Sequence, residues 1–187
     1  MTPPVRTVRA AVTPVSLSEA KAHLQVFHNA DDELIAEYIQ AATSHLDGWN
    51  GVLGRCLVTQ TWQQDLDAFP VGEIVLPFPD VSGVTVEYRD TANATQTVAE
   101  ASFYLVQGHG TTRIVPADGF AWPETAVRPD AVSVTMVCGY GDPEDVPSAI
   151  RAAIKLHVGV LFTGRADGAI PPVHGDMIAP HRVTGAG

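Results

Sequence analysis

The sequence predicts an α+β fold: a three-helix frame, with two N-terminal helices and one C-terminal helix, around an inserted antiparallel β region. Apolar residues recur at helical spacing before residue 50 and again after residue 147. Between these segments, residues 57–138 are rich in Val, Thr and aromatic residues and are punctuated by Pro and Gly. Because no helix-length stretch separates the short strand candidates, antiparallel meanders are favoured over parallel βαβ units.

Composition limits the classes of protein to which the chain can belong. Its 187 residues are 45% hydrophobic and 17% charged, which is typical of a globular protein and not of a disordered one. The formal net charge of −10 argues against a protein that grips nucleic acid through its phosphates. Two cysteines, Cys56 and Cys138, exclude a disulfide scaffold or a Cys-rich zinc site, and we expect buried thiols. No segment resembles a signal peptide or a membrane span, so we expect a soluble protein in a reducing compartment.

Three segments carry helix signals. Ser16-Leu-Ser-Glu19 has the form of a capping box and predicts a helix over 17–27. An Asx cap followed by acidic residues, and then by apolar residues spaced three and four apart, predicts a helix over 31–48. Pro147 stands at the favoured first position of a third helix, over 147–163.

The β region and the end of the chain complete the predicted plan. The strand candidates are 57–66, 73–77, 83–89, 94–98, 103–107, 112–115 and 131–138. Residues 164–187 contain five Gly and three Pro, a composition that cannot sustain a helix, so we expect an extended C-terminal arm there. Residues 1–163 are then one domain.

Acidic and histidine side chains give two weak candidate sites. Asp65 and Asp67 are two apart on a predicted strand and share a face, but solvated acids at a strand end are favoured over a catalytic pair. His174, Asp176 and His181 in the arm are possible metal ligands, although a Gly- and Pro-rich segment makes this a weak signal. No cofactor or metal is therefore expected.

The remaining candidates have structural explanations. His157 is expected to be a core or interface histidine and not a general base. Gly108-His109-Gly110 lies between two strand candidates and is better explained by a hairpin loop than by a phosphate-binding loop. The nucleophile, zinc and phosphate-loop motifs of common enzymes are missing from the sequence. We therefore expect a protein that is not an enzyme.

Charge is distributed unevenly along the chain. Residues 1–16 and 147–187 each have a net charge of +2, whereas 17–50 has −5 and 51–146 has −9. One interpretation is an acidic, solvated middle with incidental basic ends. The other is a subunit whose basic ends contact another subunit or an acidic partner, since complementary patches steer association.

The order of the elements resembles that of the bacteriophage head–tail connector (adaptor) family, in its long form with a β insertion. The resemblance covers about residues 16–162. Its segments are Ser16–Val26, Asp31–Ala42, Gly54–Trp62, Ile74–Pro79, Trp122–Pro123, Ala131–Asp142 and Val146–Leu156. Such adaptors occur in tailed phages, prophages and gene transfer agents.

The resemblance implies a structural role in the neck of a phage or phage-like particle. The expected assembly is a ring of twelve copies under the portal protein, with the isolated chain possible as a monomer. The ring would extend the DNA channel without sequence-specific DNA contact and would dock the tail or a stopper protein. Neither a membrane nor a catalytic residue is implied, and the chain would be in the host cytoplasm during assembly.

The C-terminal end is the expected site of portal contact. The residues we assign to it are Phe162, Arg165, Met177, Ile178 and Arg182. Deleting 164–187 is expected to leave the monomer folded and to abolish portal binding. The alternatives are another neck component, such as a stopper or tail terminator, and, more remotely, a small metal-dependent hydrolase.

Overall fold

The computed structural model describes residues 2–108, 110–164 and 172–183, and confirms the predicted α+β class. The chain forms two compact units. The β unit consists of the residues up to Ala10 together with Thr59–Gly139. The helical unit consists of Ala11–Val58 and the chain from Tyr140 onward.

The β unit contains a five-stranded antiparallel sheet in the order β1-β2-β8-β4-β5. Its strands are β1 (Val5–Val8), β2 (Gln60–Leu66), β4 (Val81–Arg89), β5 (Thr95–Thr97) and β8 (Val132–Cys138). Burial alternates residue by residue along β2 and β8, which pair along their whole length. This alternation places one face of the sheet on a core and leaves the other polar.

A second antiparallel sheet in the same unit has three strands in the order β3-β7-β6. They are β3 (Ile74–Val75), β6 (Phe103–Gln107) and β7 (Thr112–Pro116). Phe78, just after β3, is fully buried, and its ring lies 4.9 Å from that of Trp62 on β2. The two sheets of this unit are thereby joined by an aromatic contact.

The helical unit packs four helices: α1 (Leu17–Leu24), α2 (Asp32–Leu46), α3 (Ser148–Phe162) and α4 (Pro172–Ile178). α1, α2 and α3 contact one another, and α4 lies against α3. The core of the helical unit contains the apolar residues whose spacing predicted α2 and α3. They are Ile35, Ile39, Leu46, Ile150, Ile154 and Val158. No helix within the described residues is long and apolar enough to cross a bilayer.

The predicted capping box is present at the start of α1. The Ser16 hydroxyl accepts a hydrogen bond from the Glu19 N–H at 3.3 Å, and the Glu19 carboxylate accepts one from the Ser16 N–H at 2.9 Å. Glu19 also forms an ion pair with Arg151 of α3. The bond from the Ser16 backbone lowers the pKa of Glu19 most, and Arg151 lowers it further. One carboxylate therefore both starts α1 and joins it to α3.

Changing Ser16 to Ala is expected to lower the free energy of unfolding by about 1 kcal/mol, because the cap of α1 loses its acceptor. Urea denaturation followed by circular dichroism measures this. Ser44→Ala, on the exposed face of α2, is the matched control and should change the free energy by only about a few tenths of that amount. Equal losses in the two variants would contradict the capping role.

Two observed elements differ from the prediction. β1 was not predicted, because four exposed residues give no periodic signal and their partner strand lies more than 50 residues away. The prediction of an extended arm is wrong for residues 172–181, which form α4 and a 3-10 turn at Ala179–His181. Pro172 begins α4, where a missing N–H costs nothing.

Candidate functional site

The predicted portal-contact residues do not share one exposed surface. Ile178 is 2% exposed and is part of the helical unit's core, whereas Met177 beside it is half-buried. Arg182 is exposed just beyond α4, and Phe162 is half-buried at the end of α3. Arg165 lies outside the described residues. The structure thus brings Met177, Ile178 and Arg182 together, with Ile178 covered.

The end of the described chain is attached to the helical unit. Val183 donates its backbone N–H to the carbonyl of Leu53 at 2.9 Å. Gly54, next to Leu53, adopts a positive φ of 63°. A Cβ at Gly54 would lie 3.5 Å from that of Val183, so the two segments are in van der Waals contact. α4 therefore lies against α3, and the chain beyond α4 is attached to the loop after α2.

Three histidines from three different helices meet beneath α4. Their ring centroids are 5.3 Å apart for His45 and His157, 5.7 Å for His157 and His174, and 6.3 Å for His45 and His174. His174 is only 3% exposed. Among the described residues, the Nδ1 of His157 and the Nε2 of His174 are buried without a hydrogen-bond partner. We refer to His45, His157 and His174 as the histidine cluster.

The environment of His157 and His174 favours uncharged rings. Burial is the main cause that lowers the pKa of His157 and of His174. The neighbouring His45 lowers the pKa of both, because two positive imidazoliums would repel each other. Neutral rings are thus the form in which α4 lies on α3.

Sequence reasoning found only part of this cluster. The expectation that His157 is a packed histidine agrees with its half-buried position. His45 was not singled out, and His174 was placed in an arm. Positions 45, 157 and 174 are too far apart in the chain for any spacing rule to join them.

The suggested metal set in the arm is not assembled. His174 is buried, whereas Asp176 on the same helix is exposed and His181 is half-buried in the following turn. Over the ranges that the structure describes, no group of three or more His, Cys, Asp or Glu side chains is arranged to hold a metal ion.

The acidic pair in the β unit has structural partners. Asp65, on β2, accepts a hydrogen bond from the Gln63 amide at 2.9 Å. Asp67, just after β2, accepts one from the backbone N–H of Asp130 at 3.2 Å. These bonds fix the end of β2 and agree with the interpretation of the pair as acids at a strand end.

The remaining sequence candidates also have structural roles. Gly108 donates its N–H to the Thr111 carbonyl at 2.8 Å and closes the hairpin between β6 and β7, as predicted; His109 lies outside the described residues. Cys56 and Cys138 are both buried and neither is part of a disulfide.

The β unit has an open groove of 620 Å³, lined by two chain segments, 68–72 and 116–125. Phe69 stacks on Trp122 at 4.8 Å with an angle of 3° between the rings, and Phe120 meets Trp122 edge-on at 5.6 Å. The Trp122 indole N–H donates to the Gly72 carbonyl. Glu124 is the one charged residue among those that line the groove. The groove is aromatic and apolar, which suits a protein contact more than a polar substrate.

One comparison by sequence gives a match, and it covers the start of the helical unit together with β2. Residues 14–70 match the family model described as Phage gp6-like head-tail connector protein. The resemblance to head–tail connectors is confirmed. The matched connector region includes α1, α2 and β2, and thus the capping box and the first histidine of the cluster. A comparison with curated proteins by sequence gives no match.

The comparison of folds covers nearly the whole chain. A chain from the virion of a native gene transfer agent particle has a TM-score of 0.81 at 20% identity, covering 99% of this chain and 97% of that one. A chain from the neck of an empty particle, computed with C6 symmetry, has a TM-score of 0.82 at 21% identity with the same coverage. A chain from the neck of a native particle, computed with C12 symmetry, has a TM-score of 0.71 at 19% identity, covering 96% and 97%. The connector region and the β insertion together therefore have the fold of these neck proteins.

Proposed function

We propose that this chain is a structural head–tail connector subunit that forms a ring in the neck of a phage or phage-like particle. The proposal rests on two findings taken together. The chain shares its fold, over 99% of its length, with a chain from the neck of a gene transfer agent particle, and residues 14–70 match the connector family model. Within the described residues, His174, Asp176 and His181 are not grouped to hold a metal ion.

The proposed ring consists of twelve copies below the portal protein and passes DNA to the tail. Two matched neck structures, computed with C6 and C12 symmetry, support a closed ring. In such a ring every subunit needs two different side surfaces, since the contact is heterologous and closes on itself. The net charge of −9 over residues 51–146 suits a channel wall, because like charge lets DNA slide without binding.

The proposed portal contact uses the C-terminal end of the chain. Arg182 is exposed and Met177 half-buried, so both are accessible in the described state, whereas Ile178 becomes accessible only if α4 moves. Phe162 and Arg165 complete the proposed set. The tail side of the ring would dock a stopper or tail protein.

The proposal is tested by electron microscopy of the purified protein mixed with portal rings of the same particle. We expect rings of copies on the portal, and an at least roughly tenfold weaker attachment of Arg182→Glu, since an interface arginine contributes about 2 kcal/mol. Arg128→Glu, an exposed change of equal charge in the β unit, is the control and should attach normally.

Two results would contradict the proposal. Attachment to isolated tails but never to portals would favour a different neck component, such as a stopper or tail terminator. Normal portal attachment of Arg182→Glu would contradict the proposed contact while leaving the connector function in place.

A further inference from the structure

α4 is a short helix with a small inward face. It has seven residues, and the buried residues His174 and Ile178 stand four apart and so lie on the same side. His174 contributes one ring of the histidine cluster and Ile178 contributes apolar contact. A helix of this length is not stable by itself, so its position depends on this face and on the Val183 bond.

The rings beneath α4 have no acidic partner among the described residues. His45 and His157 contact His174 and each other by their rings. His23 of α1 is a further titratable side chain next to α3. Its Nε2 lies 3.8 Å from the position that a Cβ at Gly159 of α3 would occupy.

The other charged groups on these elements are engaged elsewhere or exposed. Asp47, after α2, accepts from the Leu57 N–H, and Arg151 of α3 pairs with Glu19. Asp176 of α4 is exposed, and so is Arg182 beyond it. Lys155 of α3 and His181 of the 3-10 turn are half-buried. A proton on His174 would thus be buried beside the rings of His45 and His157.

We propose that α4 is a pH-released element: uncharged His157 and His174 hold it on α3, and their protonation detaches it while the rest of the chain stays folded. Detachment exposes His174 to water and separates it from His157. It also uncovers Ile178. This inference concerns the isolated chain and does not depend on the connector function.

The direction of the pH effect follows from the environment of the His157 and His174 rings. In the docked state the pKa of His157 and His174 lies below its ordinary value of 6.5, so the released state binds protons more readily. Docking is therefore strongest above pH 6.5 and weakens as the pH falls below it. Between pH 7.5 and 5.5, each such histidine can raise the released fraction relative to the docked fraction by up to about tenfold, and two by up to about a hundredfold.

The chain offers a direct probe of this equilibrium. It has three methionines, of which Met177 is on α4 and Met136 is fully buried on β8. We would label the methionine methyl groups with ¹³C and follow their NMR signals in the full chain from pH 7.5 to pH 5.0. The expected result is that the Met177 signal moves to the position of a solvent-exposed methyl group while the Met136 signal does not change.

Two variants separate protonation from a mere loss of packing. The double variant His157→Asn/His174→Gln removes both titrating rings, and its released fraction should not depend on pH. Gly175→Ala adds a better helix former at an open position of α4 and should lower the released fraction about fivefold at each pH. If the double variant is released at every pH, adding Gly175→Ala restores the docked form for measurement.

Three outcomes would overturn the proposal. The first is a Met177 signal that is the same at pH 7.5 and pH 5.0. The second is a change of the Met136 signal together with that of Met177, since this would mean that the whole chain unfolds. The third is a double variant with the same pH dependence as the unaltered chain.

Discussion

Replacing Ile178 with Asp is expected to detach α4 from an otherwise folded chain. Ile178 is 2% exposed and is the apolar anchor of the helix, so the new carboxylate would be buried without a partner. Such burial costs about 3 kcal/mol or more. The helical unit avoids that cost by releasing seven residues, because its main core lies between α1, α2 and α3.

Amide hydrogen exchange of the full chain measures this detachment. Exchange should become fast over residues 172–183 and remain slow in α2 and α3. Asp176→Asn, an exposed change on the same helix, is the matched control and should leave exchange unaltered. Fast exchange throughout the helical unit would contradict local release, and unchanged protection of α4 would contradict the anchoring role of Ile178.

Gly175→Ala, tested beside this variant, distinguishes two ways in which α4 can serve the proposed portal contact. If the portal binds the exposed side of docked α4, Ile178→Asp and Arg182→Glu both weaken attachment. The first detaches the docked helix, and the second reverses the charge of an exposed residue in the proposed contact. If the portal binds released α4 through its apolar side, Ile178→Asp removes the contact itself, and Gly175→Ala, which favours docking, also weakens attachment. Comparing the three variants in one portal-binding assay therefore identifies the bound state.

Local chemistry made most of the fold predictable. Ser16 and Glu19 are three residues apart, and their mutual hydrogen bonds start α1 without help from any other part of the chain. The predicted helix over 31–48 became α2, since the residues that set its apolar period are those of its buried face. β8 was likewise predictable from alternation, because its buried residues alternate with partly exposed ones from Val132 to Cys138.

The parts that were missed depend on partners distant in the sequence. β1 exists because it pairs with β2, with Val5 opposite Gln63. α4 exists because α3 offers a site for Ile178, which overrides an unfavourable composition of Gly and Pro. The histidine cluster joins residues from three helices in the same way. Local propensity carries no information about such contacts, so neither the cluster nor the covered state of Ile178 was foreseeable.

Replacing Phe78 with Ala is expected to lower the free energy of unfolding of the β unit by about 3–5 kcal/mol. The Phe78 side chain is fully buried, and its ring is inclined at 58° to that of Trp62. The backbone of Phe78 also accepts a hydrogen bond from the Thr112 N–H at 3.2 Å, so the residue lies where the three-stranded sheet meets the core. Phe78→Ala would therefore leave a cavity between the two sheets of this unit.

Urea denaturation followed by circular dichroism measures the loss. Tyr104→Ala on β6 is the control: it also removes a ring from the three-stranded sheet, but Tyr104 is 58% exposed, and its loss should cost less than about 1 kcal/mol. Equal losses would mean that neighbouring side chains fill the cavity left by Phe78, and that the aromatic contact with Trp62 does not determine the stability of the unit. A large loss for Phe78→Ala alone would place the core of the β unit at this contact, because Phe78 and Trp62 pack against each other there.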